Sequence, residues 1–169
     1  MTAPDAAAQD DSELTQVALI VRRTIRTSAE RAFLAWTRPE HLRKWWGPPS
    51  VKCTDAEIDL RVGGSYRIAN QFPDGKVVWI SGEFEQIEPP HRLVYSWCLG
   101  ESPRAVERVT VRFEPRGEAT EVILVHERIA DLATRAGHEQ GWQGCLDGLV
   151  HFLENGALGQ TERASELDL

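Results

Sequence analysis

The stretch Asp131–Asn155, DLATRAGHEQGWQGCLDGLVHFLEN, restricts the fold more than any other part of the chain. At the helical advance of about 100° per residue, His138, Trp142, Cys145, Leu146, Leu149, Phe152 and Leu153 share one face. Glu139, Gln140, Gln143, Asp147 and Glu154 share the opposite one. Beside the apolar face run Gly137, Gly141, Gly144 and Gly148, at steps of four, three and four. Each interior glycine weakens a helix by about 1 kcal/mol relative to alanine, so tertiary contacts must hold this one. The stripe has two readings: close packing of the helix backbone on a neighbour, or missing side chains that leave room for a guest. Asn155-Gly156 is a C-terminal stop signal. A long helix with one apolar face needs a surface to cover, and the preceding residues must provide it.

Thr15–Arg26 alternates as a strand, with Val17, Leu19, Val21 and Ile25 on one side and Ala18 and Ile20 on the other. Thr27-Ser28-Ala29-Glu30 reads as a capping box with Thr27 at the N-cap. It opens a short helix whose apolar residues Ala29, Ala32, Phe33 and Trp36 follow helical spacing. Pro39 suits the first turn of a second short helix, Glu40–Trp46, which Gly47-Pro48-Pro49 ends. Six strands are then expected: Val51–Leu60, Ser65–Phe72, Lys76–Glu88, His91–Leu99, Ala105–Pro115 and Ala119–Arg128. Turn signals separate them at Gly63-Gly64, Pro73-Asp74-Gly75, Pro89-Pro90, Gly100–Pro103 and Arg116-Gly117. No helical pattern interrupts them, which favours antiparallel meander pairing. The expected fold is α+β, in the order strand, two short helices, six strands, helix: a curved antiparallel sheet of about seven strands around the C-terminal helix. Residues 1–13 read as an acidic disordered tail, 14–156 as the domain and 157–169 as a frayed polar tail.

The formal net charge of −7 argues against a nucleic-acid or anionic-membrane partner. No segment approaches the roughly 18 consecutive apolar residues of a membrane span, and the acidic N-terminus lacks the apolar core of a signal peptide. Cys53, Cys98 and Cys145 are odd in number and form no C-x-x-C, as expected of free thiols in a reducing cytoplasm. No cofactor motif and no structural zinc site is read.

The segments TSAERAFLAWTRPEHLRKWWGP, DLRVGGSYR and HERIADLATRAGHEQGWQGCLDGLVHFLENG follow one another in that order. Together, from about Leu14 to Gly156, they resemble the bacterial homologues of the heat shock protein 90 ATPase activator C-terminal domain, in the START-like, birch-pollen-allergen-like SRPBCC superfamily. The resemblance implies a helix-grip fold with a deep, mostly apolar cavity between sheet and long helix. Superfamily members bind lipids, sterols, polyketides or other hydrophobic compounds, and some catalyse cyclisation or hydrolysis. The eukaryotic activator carries a separate N-terminal domain that binds the chaperone, where this chain has only a short tail. No single catalytic pattern defines the family, so the resemblance carries a cavity but no mechanism.

The inward faces then supply candidate cavity residues: Tyr66, Ile68, Trp79, Tyr95, Trp97, Val111, Leu124, His126, His138, Trp142, Cys145 and Leu149. Trp36, Trp45 and Trp46, on the short-helix pair, are candidates for a lid. Core packing accounts for each aromatic singly. Together, buried indole and phenol tips seek hydrogen-bond partners, and a pocket of aromatic walls with a few polar tips suits a hydrophobic guest. His138, one turn before Trp142, reads as a half-buried histidine or as a polar handle or general base at the cavity mouth. His126 shares the face of Val122 and Leu124 and points either into the cavity or, at the strand end, to solvent. The two histidines would need a third ligand to hold a metal, and none comes at ligand spacing, so no metal is expected. Asp55, Glu57, Asp59, Glu83 and Glu85 alternate as on a solvated sheet face. No serine has a G-x-S-x-G context.

Three functions follow, in order: a cytoplasmic binding protein for a small hydrophobic or amphipathic molecule; a cyclase- or hydrolase-type enzyme with His138 or His126 as base and Tyr66 or Tyr95 as proton donor; and a chaperone-interaction module.

Overall fold

The computed structural model describes residues 17–100 and 106–155. The expected tails at 1–13 and 157–169, and the turn residues beyond Gly100, lie outside the described residues. The elements are β1 (Leu19–Ile25), α1 (Ala29–Thr37), α2 (Pro39–Trp45), β2 (Lys52–Ile58), β3 (Ser65–Gln71), β4 (Val77–Glu88), β5 (Arg92–Leu99), β6 (Glu107–Arg116), β7 (Ala119–Glu127) and α3 (Leu132–Glu154). This is the expected order, and the fold is α+β.

Strands β2 to β7 pair with their chain neighbours, all antiparallel, and β1 closes the far edge beside β7. The sheet order is β1-β7-β6-β5-β4-β3-β2. Helices α1 and α2 therefore carry the chain from one edge of the curled sheet to the other, and α3 lies in its concave face. Leu93, Val109, Val111, Phe113, Val122 and Leu124 from the sheet and Leu146 and Leu149 from α3 are wholly buried between these layers. The opposite face is solvated, as the alternating Asp55, Glu57, Glu83 and Glu85 imply.

The cap of α1 is displaced by one residue from the sequence expectation. Ser28 is the N-cap, its Oγ accepting from the Arg31 backbone N–H at 3.2 Å. Thr27 is held elsewhere, because its carbonyl accepts the Thr120 hydroxyl of β7 at 2.8 Å. Arg38 ends α1 and opens α2 in one extended residue (φ −98°, ψ 124°), as the following Pro39 demands. The start of α3 is capped by Asp131, whose carboxylate accepts from the Thr134 N–H at 2.7 Å.

The two C-terminal glycines of the stripe bring α3 close to the α2 segment. A Cβ on Gly148 would lie 2.6 Å from the Trp45 carbonyl oxygen, and one on Gly144 would lie 3.0 Å from the Pro48 side chain. Close backbone packing is thus the reason for half of the stripe.

Candidate functional site

The other half of the stripe has a different surrounding. A Cβ on Gly137 or Gly141 would meet nothing within 4 Å. Both glycines border a cleft of about 250 Å³ between the first half of α3 and the ends of β3, β4 and β5. The walls come from Trp46, Pro48 and Val51 after α2, Asn70 and Phe72 at the end of β3, Val78 and Ile80 on β4, and Trp97 and Leu99 on β5. Gly137, His138, Gly141, Trp142 and Cys145 line it from α3. Space stays open here because Gly137 and Gly141 carry no side chain and have no close neighbour, whereas Gly144 and Gly148 lie against Pro48 and Trp45.

Of the expected cavity residues, Trp97, His138, Trp142 and Cys145 line this cleft, and so does Trp46 of the expected lid. Tyr66, Ile68 and Tyr95 do face inward, but with Trp36, Trp46 and Trp97 they surround a separate gap of about 20 Å³, room for about one water. Val111, Leu124 and Leu149 are filled core. The three lid tryptophans are tied down: Trp36 Nε1 donates to the Tyr95 hydroxyl at 3.2 Å, Trp45 Nε1 to the Ala35 carbonyl at 2.8 Å, and Trp46 Nε1 to Asn70 Oδ1 at 2.9 Å. Trp79 is a correction. It lies on the face of β4 opposite Ile80, half-buried under the Arg67 guanidinium at 4.4 Å. A larger open hollow of about 600 Å³ on the sheet is bordered by Glu57, Asp59, Arg67 and Glu83 and collects none of the cleft residues.

A buried polar cluster stands directly behind the cleft. His126 is fully buried, so the solvent-facing reading of this strand end is overturned. Its Nδ1 accepts the Trp142 indole N–H at 2.9 Å. Its Nε2 lies 2.6 Å from Glu107 Oε1, and His138 Nε2 lies 3.0 Å from the same oxygen. The two imidazoles stack, with centroids 4.8 Å apart and planes at 22°. An indole can only donate. Nδ1 of His126 is therefore the acceptor, and the ring proton sits on Nε2 and is given to Glu107. Burial lowers the pKa of His126 below its ordinary 6.5, a shift that the hydrogen bond to Glu107 opposes. For Glu107, burial acts upward, but hydrogen bonds from both histidines and their charges outweigh it and bring the carboxyl down to about 2. At neutral pH the cluster is an anionic carboxylate receiving two imidazole N–H groups.

Glu107 was absent from the expected site, although the signal was present. It has the same parity as Val109, Val111 and Phe113 on β6, which places a carboxylate on the buried face. It is also the third potential ligand that sequence spacing did not supply: Glu107, His126 and His138 each bring one ligand atom to within 4.8 Å of the others. The donor set nonetheless does not fit a cation. A metal-bound histidine normally donates its remote N–H to an acceptor, whereas here the remote nitrogen of His126 itself accepts from Trp142. The Nε2 lone pair a metal would need is replaced by a proton.

Other groups are not set for chemistry either. Burial pushes the Cys145 thiol up to about 12, so it is no thiolate nucleophile at neutral pH. The Tyr66 hydroxyl donates to the Ser96 carbonyl at 2.7 Å, and neither Tyr66 nor Tyr95 borders the cleft with His138. The histidine–tyrosine pair expected of an acid–base enzyme is not assembled.

Residues 26–154 match the family model described as Activator of Hsp90 ATPase homolog 1-like protein. By structure the chain is similar to an AHSA1 protein from Silicibacter pomeroyi, with 25% identity and a TM-score of 0.70 over 79% of this chain and 94% of that one. It is also similar to a protein from Rhizobium leguminosarum, with 27% identity and a TM-score of 0.66 over 80% and 93%. A protein from Chromobacterium violaceum, at 23% identity, shares the fold with a TM-score of 0.73 over 82% and 98%. No curated protein sequence matches the chain.

Proposed function

The chain belongs to the activator of Hsp90 ATPase homolog 1-like family, within the START-like SRPBCC superfamily, and from that premise we propose that it binds a small, largely apolar molecule in the cleft between the sheet and α3. The observation that carries this reading is the cleft itself: about 250 Å³ of space walled by three tryptophans and aliphatic side chains, with open room over Gly137 and Gly141. Concave, mostly apolar sites with a few polar groups are the usual form of small-molecule sites. Phe72 and Leu99, large apolar residues left exposed, stand on its rim.

The excess of negative charge supports a neutral partner rather than a nucleic acid. Among the described residues no helix is long and apolar enough to cross a membrane. Three free thiols support a reducing, cytoplasmic setting. The enzyme reading lacks its proton donor in the cleft, and the chaperone reading rests on the family alone.

Native mass spectrometry of gently purified protein, followed by extraction, tests the proposal. A reproducible apolar adduct is expected, and it is lost in Gly141→Leu, whose side chain occupies the open space. Protein of bare chain mass, together with tryptophan fluorescence unmoved by any apolar probe, would overturn it.

A further inference from the structure

The hydrogen bonds around the cleft define which polar group its occupant carries, an inference that rests on the cleft being a ligand site. Nearly every polar atom of the wall is already engaged. Asn70 Oδ1 accepts from Trp46, and its Nδ2 donates to the carbonyls of Ile68 and Val78. The Trp142 indole N–H is given to His126. The Trp97 Nε1 has no partner and is closed to solvent. Cys145 has a backbone partner in Gly47.

His138 differs. Its Nε2 faces the Glu107 carboxylate, an acceptor, so Nε2 carries the proton. With one ring proton held on Nε2, Nδ1 is a lone-pair acceptor, and among the described residues nothing hydrogen-bonds it. Glu107 holds the imidazole in that tautomer, as a carboxylate behind a histidine does in hydrolytic triads. Glu107 is in turn held by His126, and His126 by Trp142. Among the described residues the cleft wall contains no lysine or arginine to receive a carboxylate or phosphate, and the anionic Glu107 behind it disfavours one.

We propose that the occupant is a flat apolar compound bearing one neutral hydroxyl of the phenol or enol class, which donates its hydrogen bond to Nδ1 of His138. His138 is the contacting residue and Glu107 a positioning residue. The indole walls of Trp46, Trp97 and Trp142 select flatness. The volume, slightly under the roughly 300 Å³ lower end for drug-sized sites, selects something on the order of two fused rings.

Calorimetric titration of the whole protein with naphthalene, 2-naphthol, 2-methoxynaphthalene and 2-naphthoate tests this without any variant. The expected order places 2-naphthol first, about tenfold tighter than its methyl ether, with naphthoate weakest. In His138→Phe the naphthol advantage disappears while naphthalene still binds. In Glu107→Gln the advantage shrinks severalfold at unchanged naphthalene affinity, a pattern that loss of structure alone would not give. Equal binding of naphthol and its ether overturns the hydroxyl assignment and leaves the cleft reading standing. Tightest binding of naphthoate overturns it in favour of an anion site. Binding of none of the four overturns both.

Discussion

Trp142 and His126 are joined by a hydrogen bond that determines where the imidazole proton resides: the indole N–H occupies Nδ1 at 2.9 Å, and the proton is on Nε2. Nitrogen-15 NMR is expected to find Nδ1 of His126 unprotonated and Nε2 protonated at neutral pH. Trp142→Phe leaves a buried acceptor without its donor, an arrangement that costs about 1–3 kcal/mol. Urea unfolding should show that loss, and the Nδ1 nitrogen-15 signal should shift as it loses its hydrogen bond, while the Glu107 carboxylate keeps the proton on Nε2. An unchanged Nδ1 signal would mean that the indole does not donate to it.

Acidification should destabilise the fold in two steps. His126 has a folded pKa below its ordinary 6.5 and Glu107 one lowered from 4.5 to about 2. In both windows the unfolded chain binds more protons than the folded one, so stability rises with pH. The contribution of His126 is complete above about 6.5 and is lost as the pH falls below it. The contribution of Glu107 is complete above 4.5 and is lost as the pH falls toward 2. Urea midpoints measured from pH 8 to 3 should be level at the top and decline from about pH 6.5 downward. Glu107→Gln should remove the part of the decline below 4.5. A midpoint equal at pH 7 and pH 5.5 would contradict a buried neutral His126.

The glycine stripe predicts opposite signs for one substitution. At Gly141 a methyl group enters open space, so Gly141→Ala should stabilise the helix by about 1 kcal/mol. At Gly148 the same methyl would stand 2.6 Å from the Trp45 carbonyl oxygen. That backbone cannot yield without shifting α2, and Gly148→Ala should destabilise despite the gain in helix propensity. Thermal or urea unfolding of the pair settles it, and two changes of the same sign would refute this division of the stripe.

Strand order, helix order and the inward parity of Tyr66, Tyr95, Trp97, Leu124 and His126 were legible because period-2 alternation and turn residues act locally. What was not legible depended on partners distant in sequence. Trp79 sits in a strand with apolar residues on both sides, Val78 and Ile80 against Val77 and Trp79, and alternation alone does not choose between them. Pairing beside Arg67 on β3 decides, through a guanidinium lying over the ring. Thr27 and Ser28 are equally able caps, and the Thr120 hydroxyl, 93 residues away, selects Ser28 by holding Thr27. Whether an inward aromatic borders the cleft or the filled core depends on how closely α3 approaches the layers beneath it, and that approach rests on the contacts of Gly144 and Gly148 with Pro48 and Trp45. Glu107 was legible in principle, since a carboxylate in phase with Val109, Val111 and Phe113 turns toward the inner face of that strand.

The same hydrogen bond that orders the cluster should also keep it free of metal. Glu107, His126 and His138 have the composition of a two-histidine, one-carboxylate site, and their ligand atoms are close enough for one ion. Binding would require His126 to release its Nε2 proton and take one on Nδ1, directly against the Trp142 N–H. Two donors would then face each other in a buried site, a cost comparable to leaving both unsatisfied. Wild-type protein titrated with Co(II) at micromolar concentration is expected to develop no ligand-field absorption and no shift in melting temperature. Trp142→Phe removes the opposing donor and should gain Co(II) affinity, lost again in the double variant with Glu107→Gln. Absorption bands from a stoichiometric Co(II) complex of the wild type would show that the proton assignment, and with it the lone pair given to His138, is wrong.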